Sequence, residues 1–232
     1  MLLAEIEIRH SRAIAPTRRI ALGELYLPTD PPPGFGAILL AGIVGAYART
    51  LDDELRDELD RLIWDLEHQP RAAQPRLRHR FQTDVVGLDR SRHRLVGNGA
   101  AMALDLDDHG LPLPQVLGAV YAAARLSLRV RPLAFRLLRR ATRWEGEPDE
   151  RLLTYLSSGE AGPGQWPAPG DEGWALRVLG FAERSEPPRS DILRHFRIRV
   201  RDAHPDHGAD AEGAGARILE LTEAKRILLA GS

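Results

Sequence analysis

Two short stretches near the start of the chain alternate between apolar and polar residues, as half-buried strands do. In the first stretch Ile6 and Ile8 face one way, while Glu5, Glu7 and Arg9 face the other. A second run, RRIALGELYL, has the composition of a partner strand. The pattern therefore predicts a short β-hairpin at the start of the chain.

The remaining apolar positions up to residue 156 have the spacing of helices. The apolar segment 34–47 is shorter than the about 20 residues that a membrane span needs, so it predicts a buried helix. From Thr50, a candidate helix cap, leucines recur every three or four positions among acidic residues, which predicts an amphipathic helix. A further helix is predicted from Pro114 to Arg140, bent at Pro132.

A glycine- and proline-rich segment divides the chain. Residues 157–172 read SSGEAGPGQWPAPGDE and contain little to bury, as is typical of a linker. We therefore predict a mainly helical domain of unknown role over 1–156, a linker over 157–172 and a small module over 173–232. The predicted fold class is mainly α, with one short β-hairpin in the amino-terminal domain and a helical hairpin in the carboxy-terminal module.

Three helices are predicted in the small module. The first, WALRVLGF, ends at Gly180, and the second, DILRHFRIRVRDA, follows Pro187-Pro188 with Ser190 as its cap. The third contains ARILELTEAKRIL, in which Ile218, Leu221, Ala224 and Leu228 share one face. The outward face of the second helix is basic because it carries four arginines, namely Arg194, Arg197, Arg199 and Arg201.

The second and third helices are joined by the sequence AHPDHG. Pro205 restricts its own backbone and moves His204 out of the helical region, so His204-Pro205-Asp206 is predicted to form an exposed corner.

Together these features resemble the J-domain of DnaJ-type co-chaperones over about residues 173–230. The resemblance is carried by the Leu179-Gly180 helix end, the basic helix leading into His-Pro-Asp, the glycine-containing loop and the run LTEAKRIL. Arg199 stands where the family usually has leucine, Ala203 where an aromatic residue is common, and Lys225 where tyrosine is usual. These three departures predict looser packing than is usual in the family.

The resemblance implies a co-chaperone that docks on a DnaK-type chaperone and stimulates its ATP hydrolysis. Such a protein is not itself an enzyme and needs no cofactor or metal. The implied partner-binding residues are His204, Pro205 and Asp206 of the corner and Arg194, Arg197 and Arg201 of the basic helix. The amino-terminal domain is then expected to bind a client or partner protein.

The composition suits this hypothesis. The sequence has no cysteine, which excludes disulfides and thiolate zinc sites and is compatible with the cytoplasm. The formal net charge of −1 provides no overall attraction to nucleic acid, and no segment is long enough to cross a membrane.

Two other functions stay open. The arginine-rich segment Arg71–Arg94 could bind nucleic acid or an acidic partner. A metal-dependent hydrolase could use His195, His204, Asp206 and His207, although their spacing matches no zinc pattern.

Overall fold

The structure is a computed structural model that describes residues 1–14, 17–30, 32–69, 77, 79–97, 101–157, 172–182, 185–203 and 211–230. Five strands make up its sheet: β1 (Leu2–His10), β2 (Arg19–Tyr26), β3 (Arg80–Phe81), β4 (Asp89–Gly97) and β5 (Met102–Asp105). The first four helices are α1 (Gly34–Ala48), α2 (Asp53–His68), α3 (Pro112–Arg125) and α4 (Arg131–Ala141). They are followed by α5 (Glu150–Ser157), α6 (Glu172–Leu179), α7 (Arg189–Asp202) and α8 (Ala211–Ala230).

The fold class is α/β, so the predicted mainly α class is wrong. Among the described residues, eight helices accompany five strands, and the strands form one mixed sheet in the order β3-β2-β1-β4-β5. The predicted hairpin is present as the antiparallel pair β1–β2, but β1 also pairs antiparallel with β4. The prediction missed β4 because its inward side chains include polar residues, which made the strand look like an exposed basic loop.

The apolar segment predicted as a buried helix is α1, and nearly all its residues are buried. It packs against α3, α4 and α5 and against the sheet. In α3, Gly118 permits close packing on β1, because a Cβ atom there would lie 2.6 Å from Cγ2 of Ile8. No helix within the described ranges combines the length and apolar character needed to cross a bilayer.

Two predicted details of these helices are wrong. The helix predicted over 114–140 is two helices, α3 and α4, and Pro132 lies in the first turn of α4, where a residue without an N–H is well accommodated. The cap of α2 is Asp52, whose Oδ1 accepts from the Leu55 N–H at 2.8 Å. Thr50 instead donates to the carbonyl oxygen of Tyr47.

The three carboxy-terminal helices pack together, and α8 also contacts β2. On α8 the predicted apolar face is largely confirmed, since Leu221, Ala224 and Leu228 are buried. The predicted linker lies outside the described residues except for its ends, Ser157 in α5 and Glu172 in α6. The division into two domains therefore stays a prediction.

Candidate functional site

The end of α6 forms the first part of the candidate site. Gly180 has φ +81°, a left-handed conformation that favours glycine. The Phe181 N–H donates to Leu176 O at 2.8 Å and the Gly180 N–H donates to Arg177 O at 2.9 Å, which is a Schellman motif. The predicted helix end at Leu179-Gly180 is confirmed.

The basic helix α7 packs on its neighbours through a small apolar and aromatic surface. Ile192 is buried, and Phe196 is partly buried beneath Lys225 of α8, whose Nζ lies 4.3 Å from the ring centroid. A cation over an aromatic face is attracted to it, so the lysine makes a specific contact across the α7–α8 pair. The predicted cap at Ser190 is wrong, because Pro188 precedes the helix as its cap and no side-chain capping bond is present.

Arg199 connects α7 to the amino-terminal part of the chain. Its Nη1 lies 3.4 Å from Oδ2 of Asp30, in the loop between β2 and α1. Its guanidinium also lies against Gly180, where an added Cβ would approach Nη2 to 2.3 Å. Of the four arginines predicted to face outward, Arg199 therefore faces the turn after α6 and the loop before α1.

The other three arginines lie on the exposed side of α7. Arg194, Arg197 and Arg201 are exposed, and Ile198 between them is 42% exposed. These positions follow a spacing of three or four residues, so they form one stripe along the helix. Among the described residues, Arg194 has no ion-pair partner, and Arg201 Nε lies 3.9 Å from Oδ1 of Asp202. Within the described part of the chain, the stripe is an exposed cationic surface.

The predicted corner His204-Pro205-Asp206 and the neighbouring His207 lie outside the described residues. The chain leaves the described part after Ala203 and returns at Ala211, where α8 begins. His195, a ligand in the metal hypothesis, contributes to packing: Nδ1 lies 3.0 Å from Leu179 O, and the ring stacks on Phe181. One imidazole nitrogen is thus already bonded.

The arginine-rich segment is only partly described, but its last three arginines are in β4. There, Arg94 donates from Nε to Oε2 of Glu5 at 2.5 Å, and Arg92 lies 3.3 Å from Glu7 Oε2. The hydrogen bond to Glu5 raises the pKa of Arg94 above its usual value. Carboxylates of β1 therefore pair with Arg92 and Arg94, which weakens the case for nucleic-acid binding at these two arginines.

Sequence reasoning missed a buried network of hydrogen-bonded polar side chains between β1, β4 and α3. Ser91 Oγ lies 2.9 Å from His10 Nε2 and 3.0 Å from Gln115 Nε2, and it donates to His109 O at 2.6 Å. Gln115 Oε1 in turn lies 2.9 Å from Nε2 of His93. Burial lowers the pKa of His93. Polar residues at the alternate, inward positions of β4 were the signal that could have revealed the network.

The comparison with protein-family models, curated proteins and solved structures found no significant match. The candidate site therefore rests on the residues of this chain alone.

Proposed function

We propose that this protein is a J-domain-type co-chaperone, which docks on a DnaK-type chaperone in the cytoplasm and stimulates its ATP hydrolysis. The observation that supports the proposal most directly is the exposed cationic stripe on α7, which leads into the segment that contains His204-Pro205-Asp206. The packing of α6, α7 and α8 on one another is compatible with it. The α/β part of the chain would then select the client or partner protein.

The stripe has a defined physical role in this proposal. Exposed arginines attract an acidic surface over about one Debye length, so they raise the association rate more than they strengthen the final complex. Ile198 adds a small apolar contact at the centre of the stripe.

The corner would act after docking. Asp206 supplies a carboxylate and His204 a hydrogen-bonding imidazole, while Pro205 restricts the backbone between them. These groups stimulate hydrolysis only if they contact the hydrolysis-competent state of the partner better than its other states. None of them is a catalytic residue, because the ATP is held by the partner.

An ATPase assay tests the corner. We expect His204→Gln and Asp206→Asn each to abolish stimulation of a DnaK-type chaperone, with the helical circular dichroism unchanged. His207→Gln is the matched control, since it changes a histidine in the same segment, and it should stimulate like the wild type. Equal stimulation by all four proteins would refute the proposal.

A second assay tests the stripe. The triple variant Arg194→Gln, Arg197→Gln and Arg201→Gln should need a higher concentration for half-maximal stimulation and should lose most of the salt dependence. Its control removes the same charge from three exposed arginines elsewhere, namely Arg129, Arg136 and Arg143. If both triple variants behave alike, the stripe has no specific role in docking.

A further inference from the structure

A cleft opens at one end of the sheet, between the end of β1, the start of β4 and the loop from β5 to α3. Its volume is about 630 Å³, within the range of about 300–1,000 Å³ that small-molecule sites occupy. The polar side chains that line it include His10, Arg12, Asp89, Arg90 and His109. We call it the His10 cleft.

Two arginines at the rim of the cleft have unused hydrogen-bond donors. Arg12 donates to Asp89 Oδ1 from Nε at 3.3 Å, but its Nη atoms have no partner in the described part of the chain. Arg90 lies 3.9 Å from the nearest carboxylate oxygen, on Glu7, which is too long for a hydrogen bond. Their side chains are 71% and 64% exposed, so both can turn towards a ligand.

The floor of the cleft is a rigidly held imidazole. His10 is only 4% exposed, and its Nε2 faces Ser91 Oγ, whose own proton is given to His109 O. Its Nδ1 lies 3.3 Å from Ser11 O. Both ring nitrogens therefore have a hydrogen-bonding neighbour, which fixes the orientation of the ring.

The loop above His10 is built to approach it closely. Gly110 has φ +93°, and a Cβ there would lie 2.6 Å from Cε1 of His10. Gln115 holds the same loop by donating from Nε2 to His109 O at 3.2 Å. The cleft is therefore shaped before any ligand arrives, which lowers the entropic cost of binding.

We propose that the His10 cleft binds a small molecule through a phosphate or carboxylate group, held by Arg12 and Arg90 at the rim of the cleft. The two guanidinium groups outnumber the one carboxylate in the lining, Asp89, and guanidinium pairs well with either oxyanion in a bidentate manner. The site lies on the sheet, and it stands independently of the co-chaperone proposal.

Calorimetry on the full chain tests the site, with pyrophosphate and citrate as separate probes to distinguish the two oxyanions. We expect saturable binding of one probe at one site per chain. Because a hydrogen bond to a charged group contributes about 1.5–3 kcal/mol, the variant Arg12→Gln/Arg90→Gln should weaken binding at least about tenfold.

The control variant Arg129→Gln/Arg136→Gln removes the same charge from exposed positions outside the cleft and should bind like the wild type. All four substitutions are on the surface, so circular dichroism should show folded proteins. The proposal is overturned if neither probe binds saturably, or if both double variants lose affinity equally. ATPase stimulation is measured separately on the same variants, so that a failure of the cleft proposal can be distinguished from a failure of the co-chaperone proposal.

Discussion

Replacing Gly180 with alanine perturbs the turn that joins α6 to α7. Alanine at φ +81° carries a left-handed conformational cost of about 1–2 kcal/mol. The new Cβ would also lie 2.3 Å from Arg199 Nη2, so the guanidinium must leave its place beside Asp30. That ion pair is partly exposed, with side chains 36% and 48% accessible, and contributes at most about 1 kcal/mol after solvent screening. The total expected destabilisation is about 1–3 kcal/mol.

A double-mutant cycle separates the two contributions. Arg199→Leu removes the guanidinium, so Gly180→Ala in that background should cost only the backbone term of about 1–2 kcal/mol. Gly180→Asn is the matched control for the backbone, because asparagine tolerates a positive φ better than alanine does. Urea unfolding followed by circular dichroism measures stability, and amide hydrogen exchange shows where protection is lost.

The exchange data decide the structural argument. Protection should fall in α6 and α7 more than in α1 and α3, because the strained turn joins only the former pair. The reasoning is refuted if Gly180→Ala is within about 0.5 kcal/mol of the wild type, or if exchange increases evenly throughout the chain.

Three further predictions concern the α/β part of the chain. Burial lowers the pKa of His93 from 6.5, so that the unfolded chain binds a proton at a higher pH than the folded chain does. The free energy of unfolding should therefore be highest above about pH 6.5 and should decrease as the pH falls below that value. Urea midpoints measured against pH should show a smaller decrease in His93→Gln. Urea unfolding should show that Gly118→Ala destabilises the fold. Crowding of the new methyl group against Ile8 costs about 1–3 kcal/mol, whereas the gain in helix propensity is at most about 1 kcal/mol. Burial, with Asp107 and Asp108, raises the pKa of Tyr47 to about 12, so at about pH 11 Tyr47→Phe should match the tyrosinate absorbance of the wild type.

Each of these three predictions would be contradicted by a specific measurement. An identical pH dependence in His93→Gln would mean that other groups control acid stability. A more stable Gly118→Ala would show that α3 has room on β1. A loss of one tyrosine's absorbance in Tyr47→Phe at the same pH would show that Tyr47 ionises normally.

Features that depend on neighbouring residues could be predicted from the sequence. The buried helix α1, the strand β1 and the glycine end of α6 each follow from a local pattern of apolar positions or from the backbone freedom of one residue. The resemblance to J-domains also rests on short motifs within about sixty residues, and it stays a prediction.

Features that depend on distant partners could not be predicted. In β4 the inward residues Ser91 and His93 are polar, and only pairing with β1 and packing of Gln115 against them make these positions interior. Arg92 and Arg94 of the same strand have the pattern of a free basic surface in the sequence, but the fold places Glu7 and Glu5 beside them. Hydrophobic periodicity cannot detect a strand whose buried face is satisfied by hydrogen bonds.

The sequence by itself determined α1, β1 and the glycine end of α6, since apolar periodicity and the backbone freedom of one glycine are properties of adjacent residues, and it contains the motifs on which the co-chaperone proposal rests. Only the tertiary structure decided the α/β class, the His10 cleft and the pairing of Arg199 with Asp30. His10 and Ser91 are 81 residues apart in the chain, and Arg199 and Asp30 are 169 apart. Contacts over such separations arise from how the elements pack, which no local pattern specifies.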